Sequence, residues 1–321
     1  MTVPAILKAA AKRAEANVLW PYFLVALSQL MFGSNHILGR AIEGHVPPTG
    51  LSFWRWVVAL LVLLPFTYRG VRRHLPTLLA HWKLLVALAF FLMVLGNTMI
   101  YVALNYTTAI NAGVVASGQP AVTFLMSWLI FGERATKGQM LGLAAALAGV
   151  LIVIVRGDLG LLASLHLNTG DLVMLVAITG FSAYTVYYRK VPREVPTLVV
   201  LAALQFLGII LLLPIYVWES IYVRPMMLDW ETVGAVLWAG IVVALMAMAL
   251  LNVAINMIGG NKTSVFTNFR VIAVAFMAIA LLGETIQLFH LVSFALILIG
   301  LYLVSRAKSG VTPGRKVQAD K

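Results

Sequence analysis

A chain of 321 residues with 62% hydrophobic and 11% charged residues cannot be an ordinary water-soluble globule, because soluble domains carry about 25% charged residues. The formal charge of +12 comes from 23 Lys and Arg against 11 Asp and Glu. The absence of cysteine excludes a disulfide framework, a thiolate metal site and a cysteine nucleophile.

Residues 1–19 carry Lys8, Lys12 and Arg13 among alanines. They form either a short helix on the inner membrane surface or a disordered basic tail. No small-residue cleavage site follows at signal-peptide spacing, so the first span is read as retained. Apolar runs of about 20 residues, enough to cross a bilayer as helix, then recur along the chain. They predict spans at 20–41, 50–69, 82–104, 109–131 and 138–156, and again at 170–189, 196–218, 232–257, 262–282 and 288–306. Short loops, a linker at 157–169 and a tail at 307–321 make up the rest.

The basic residues orient this map. With the N-terminus inside, 18 of the 23 fall in inner segments and only Arg40, Arg156 and Arg224 in outer ones, while Arg55 and Arg270 lie within spans. Such a bias places both termini in the cytoplasm of a multi-pass protein of the inner or plasma membrane. Because the charges are spread over many loops rather than one patch, no nucleic-acid partner is expected. The bilayer and a small-molecule substrate are.

A shift of 151 positions superimposes the two halves. Ala103 falls on Ala254, Asn105 on Asn256, Met126 on Met277, Gly132-Glu133 on Gly283-Glu284 and Gly149 on Gly300. The repeats are 20–156 and 170–306. Five spans per repeat is an odd number, so the second repeat must enter the membrane the opposite way. The expected fold is an all-α membrane protein of ten transmembrane helices built as two inverted five-helix repeats, with substrate sites near the midplane where the repeats meet.

The run Ala103-Leu104-Asn105-Tyr106-Thr107-Thr108-Ala109, then Pro120, Gly132-Glu133-Arg134, Gly142 and Gly149, resembles the ten-helix EamA-type proteins of the drug/metabolite transporter superfamily. Phe53-Trp54-Arg55-Trp56 with Pro65 is similar to that family's second-helix pattern. The resemblance covers about residues 20–306. The second copy departs from it: Val271 stands for Pro120, and Gly259-Gly260-Asn261-Lys262 for the Thr-Ala-rich turn. The resemblance implies a transporter of small metabolites, amino acids first, working outward. It does not select among amino acids, nucleobases, sugars and drugs.

Polar residues inside the spans mark the pathway. Asn97, Tyr101 and Asn105 lie at i, i+4 and i+8, on one face of the third helix. The repeat maps them to Met248, Asn252 and Asn256. Asn111, Val115 and Gln119 map likewise to Lys262, Phe266 and Arg270. A single Asn of this kind serves equally to tie helices together, worth about 0.6–2 kcal/mol; the set on one surface favours a lined pathway. Arg270 lies eight residues into the ninth span, where a charge costs about 2.5–3.5 kcal/mol. Two readings stay open: it binds an anionic group such as a carboxylate, or it bonds to Gln119, Asn268 and backbone carbonyls. Arg55, between Trp54 and Trp56 near the outer end of the second span, is read as an interfacial residue that snorkels. His36 is either a proton carrier or a neutral hydrogen-bonding residue. Tyr184 falls near the repeat mate of His36 and either lines the cavity or packs as an ordinary aromatic. No acidic residue sits at the depth of Arg270, so proton coupling has no carboxylate to carry it.

Gly113, Gly118 and Pro120 make the fourth helix prone to bend, a candidate gating element, because Pro120 cannot donate to the carbonyl of residue 116. Ala145 and Gly149 form a small-xxx-small pair that packs helices within one chain or between two, leaving monomer and homodimer open. Glu133 and Glu284 are expected to cap the helix that follows each or to tie its loop. No P-loop, zinc-protease motif or cluster of metal ligands is present, so neither an enzyme nor a cofactor is expected. The expected function is a secondary transporter with alternating access through a central cavity. The alternatives are a carrier of other anions such as nucleobase derivatives, and a membrane binding or scaffold subunit that transports nothing.

Overall fold

A computed structural model describes residues 19–132, 136–158, 168–258 and 269–306. They are helical, with no strand among them. We name the helices α1 (Trp20–Ala41), α2 (Pro48–Ala80), α3 (Trp82–Leu104), α4 (Ala109–Phe131), α5 (Lys137–Ile154), α6 (Thr169–Tyr188) and α7 (Thr197–Tyr222). Next comes α8, a continuous run of Trp230–Leu237, Trp238–Ala247 and Met248–Ile258, followed by α9 (Phe269–Leu282) and α10 (Leu288–Arg306). Seven of them, α2 to α8, are long and apolar enough to cross a membrane. The outer surface suits that solvent: Leu61, Phe66, Leu129, Leu141, Phe206 and Phe276 are all more than half exposed. In water this surface would drive aggregation.

The pairing of helices repeats itself. α5 packs on α10 and α2 on α7, each helix against its own repeat mate. α1 packs on α8 and α9, while α6 packs on α3 and α4. Exchanging the halves therefore turns each of these contacts into another. At the α5–α10 seam a Cβ on Gly142 would stand 2.5 Å from the Gly300 carbonyl, and one on Gly149 2.7 Å from the Ser293 carbonyl. The residue number rises on one helix as it falls on the other, so the two run antiparallel. Gly142 meets the mate of Gly149, and Gly149 meets the mate of Gly142, as a two-fold relation requires. Gly149 is thus spent on packing within the chain. Only glycine permits so close a backbone approach.

The Gly-Glu pairs have a physical explanation. Gly132 and Gly283 take φ of 63° and 67°, the left-handed conformation that ends a helix. Glu284 then reaches across to the first half rather than to the helix that follows it. Its carboxylate accepts the N–H groups of Ala109 (2.7 Å) and Ile110 (3.0 Å), two of the orphan donors at the start of α4. Glu219 of α7 does the same for α2, accepting from Thr49 (3.2 Å) and Gly50 (2.9 Å). We expect Glu284→Ala to destabilise the protein by about 1–2 kcal/mol, read as a lower thermal midpoint in detergent. An unchanged midpoint would deny this contact its role. Glu133 lies outside the described residues.

Four spans differ from regular helices of the predicted length. α2 continues through Pro76 to Ala80, about 50 Å in all, where the sequence predicts an end at residue 69. α4 is broken at Gly118 into Ala109–Ser117 and Gln119–Phe131. Pro120 opens the second piece, where its missing N–H costs nothing. α3 and α8 each contain a π-helical stretch, Phe90–Thr98 and Trp238–Ala247. These overlap under the 151-residue shift. Asn97 and Thr98 donate to the carbonyls of Leu92 and Met93, both at 2.8 Å and both spanning five residues.

Candidate functional site

α1 builds the site. Ser28, Gln29, Asn35 and His36 all lie on its buried side. The two pairs are about two turns apart, and a cavity of about 420 Å³ opens beside Asn35 and His36. Its wall takes Asn35 and His36 from α1, Arg55 and Trp56 from α2, and Asn97 from α3. Gln119 of α4, Tyr184 of α6, Met248 of α8 and Arg270 of α9 complete it. Both halves contribute, and both π-helical stretches border the space, through Leu92 and Asn97 and through Val243 and Ala244. π-helical segments occur often at functional sites.

Arg270 is held by α1. Its Nε–H donates to Gln29 Oε1 at 3.1 Å, and its guanidinium carbon lies 4.8 Å from the centre of the Phe32 ring. The expected partner Gln119 is not bonded to it; the Gln119 carbonyl receives the hydroxyls of Thr123 (2.9 Å) and Ser182 (3.3 Å) instead. Asn268 lies outside the described residues, as do Lys262 and Phe266.

Arg55 corrects the sequence reading. It is 2% exposed and faces inward rather than snorkelling to the interface. One guanidinium nitrogen donates to the Tyr101 hydroxyl and reaches Asn35 Oδ1 at 3.4 Å. The Tyr101 hydroxyl in turn donates to Asn35 Oδ1 at 2.6 Å. The ring of Trp56 lies 4.8 Å from the guanidinium carbon. All these groups are neutral, so Arg55 has no counter-charge among them. Its Nε has no partner, nor does either ring nitrogen of His36 nor the Trp56 indole N–H. His36 makes at most a weak approach to the Phe32 carbonyl one turn before it, so the expected hydrogen-bonding role is not met by protein groups. Buried polar atoms without partners are rare and costly. Those of Arg55, His36 and Trp56 border one cavity, where a polar ligand would satisfy them.

The other predicted residues fall elsewhere. Tyr101 is 1% exposed and stands behind Arg55 rather than on the wall. Asn252 is exposed on the outside of α8, away from this cavity. Asn105 donates to the Tyr101 carbonyl at 2.8 Å. Gly113 lies against Val274 of α9, Gly118 against Val150 of α5, and Pro120 is exposed. Asn111 is not on the cavity wall but in a separate buried network. Its Nδ2 faces the Asp171 carboxylate at 3.4 and 3.5 Å, and its Oδ1 meets His290 Nε2 at 2.7 Å. Thr107 donates to Asp171, and Gln287 N–H donates to His290 Nδ1 at 2.8 Å. Nδ1 is thus the acceptor and Nε2 carries the proton. Asp171, in the first turn of α6, is fully buried. A second tie joins His45 to Asp229 at 2.7 Å. The Asp229 carboxyl also accepts the Thr232 N–H at 2.8 Å, and hydrogen bonding from Thr232 and His45 holds it below the usual carboxylate range.

The sequence profile of the EamA-like transporter family matches residues 19–155 and again residues 168–306. The chain belongs to the EamA-like transporter family. The two matches coincide with the two sets of helices whose pairings exchange. An uncharacterized transporter of Bacillus subtilis, YyaM, is 23% identical over 287 residues, covering 88% of this chain and 93% of its own. A probable amino-acid metabolite efflux pump of Salmonella typhimurium is 22% identical, with the same coverage of both chains. The Arabidopsis thaliana protein WALLS ARE THIN 1 is 25% identical, covering 89% of this chain and 82% of its own. A solved crystal structure matches with a TM-score of 0.58 at 19% identity, covering 88% of this chain and 95% of its own. That likeness concerns the fold alone. The EamA-like chain is therefore a multi-pass membrane protein of a family of transporters, and its family implies a small solute.

Proposed function

We propose that the protein is a secondary transporter that moves small anionic or zwitterionic metabolites, amino acids first among them, by alternating access. The carrying observation is the polar cavity between the two halves, which holds Arg55 and Arg270 without a carboxylate among its described wall residues. In this reading all ten helices cross the inner or plasma membrane, and 20–156 and 170–306 are inverted repeats with cytoplasmic ends. The antiparallel α5–α10 seam and the bias of basic residues support that arrangement. The break at Gly118 supplies the bend that gating needs. Outward movement is supported by the family resemblance and by the name of the Salmonella relative. The cavity's open volume favours a carrier over a scaffold, whose interior would be filled by side chains.

Counterflow in liposomes tests the reading. Vesicles holding the purified protein are loaded with unlabelled amino acids and given labelled ones outside. Protein-dependent accumulation of label is expected. Its absence for amino acids and for other organic anions would sink the proposal.

A further inference from the structure

The cavity holds two guanidiniums at different heights along one helix. Arg270 is bonded to Gln29 and Arg55 to Asn35, and these partners are six residues apart on α1. Six helical residues span about 9 Å. Among the described residues, no acidic side chain is on the cavity wall. Asp171 is occupied by Thr107 and Asn111, and Glu219 and Glu284 cap α2 and α4. A buried charge must be paired or solvated. Arg55 is 2% exposed and keeps an unpartnered Nε.

Resting on the transporter reading above, we infer that the substrate is a small organic dianion, with one carboxylate on Arg270 and the other on Arg55. A carboxylate oxygen lies about 3 Å from the guanidinium nitrogen that holds it. A short chain between the two carboxylates suffices, because Arg270 also lies over Phe32, only three residues before Asn35 on α1. The unpartnered nitrogens of His36 and Trp56 supply further hydrogen bonds. An acidic amino acid and a plain dicarboxylate share this chemistry. They differ in an ammonium group, for which no carboxylate on the wall is provided.

The test is equilibrium binding to the purified full-length protein in lipid nanodiscs, with glutarate, glutamate and glutamine as probes. Glutamate and glutamine are nearly isosteric and differ by one charge, so their affinity ratio reads the second guanidinium. We expect glutarate, alone or with glutamate, to bind at least about tenfold tighter than glutamine. Tighter glutarate than glutamate identifies a plain dicarboxylate carrier, and equal or tighter glutamate an acidic amino acid carrier. Arg55→Gln and Arg270→Gln should each bring the glutarate-to-glutamine ratio to about one, while Arg55→Lys restores much of it. Because the readout is a ratio, partial unfolding of a variant does not imitate the result. Equal binding of glutarate and glutamine to the unaltered protein, or a glutarate-to-glutamine ratio that survives either Gln variant, would overturn the inference. Counterflow of monoanions with no dianion binding would overturn it too and leave the transporter reading standing.

Discussion

Arg270→Ala is expected to lower counterflow by about 30-fold or more, as removal of a buried charge that pairs with substrate does, while the protein still folds. Its contacts with Gln29 and the Phe32 ring are all that tie it to described residues. A charge at that depth opposes insertion by about 2.5–3.5 kcal/mol. Its removal should therefore leave the thermal midpoint unchanged or raise it. Thermal unfolding and counterflow on one preparation separate the two roles. Lost stability with unchanged specific transport would make Arg270 a structural residue and remove its place in substrate binding.

Gly142→Leu is expected to have the opposite signature. The added Cβ meets backbone atoms, the Gly300 carbonyl at 2.5 Å and the Val304 nitrogen at 2.9 Å. Backbone cannot rotate away, and overpacking of this kind costs about 3 kcal/mol or more. The protein should lose much of its thermal midpoint. The seam lies outside the cavity, so the surviving folded fraction should keep its substrate preference. Gly234→Leu is the control, because a Cβ there meets nothing within 4 Å. Equal midpoints for the two variants would show that the α5–α10 seam is looser than described.

Much of this architecture could be read from the sequence because the bilayer constrains it so strongly. Apolar length needs no tertiary information. The repeat was visible through Gly132-Glu133 and Gly283-Glu284, since a left-handed helix end demands glycine. What each glutamate caps was not visible, because Glu284 reaches a helix 175 residues away in the chain. Arg55 was misplaced for a similar reason. Two flanking tryptophans suggested an interface, but Ser52, Arg55, Trp56 and Ala59 form one inward face at helical spacing, and all are buried. Periodicity alone held that signal. The stripe on α3 failed differently. Asn97, Tyr101 and Asn105 share a face in a regular α-helix, but Arg55 stands between Tyr101 and the cavity and Asn105 bonds back to the Tyr101 carbonyl. Only Asn97 of the three reaches the wall. In its mate stripe on α8, Asn252 points outward.

The central claim is that the cavity is a pathway reached from each side of the membrane in turn. The chain has no cysteine, so single cysteines can be introduced without altering a background. Gln119→Cys and Tyr184→Cys, both on the wall, would be exposed to a membrane-impermeant thiol reagent from each face of sealed vesicles, with Asn252→Cys as the outward-facing control. Modification of both wall positions from either face, slowed by substrate, with the control insensitive to substrate, is the predicted result. Wall cysteines that react from one face only, at a rate substrate does not change, would contradict alternating access through this cavity.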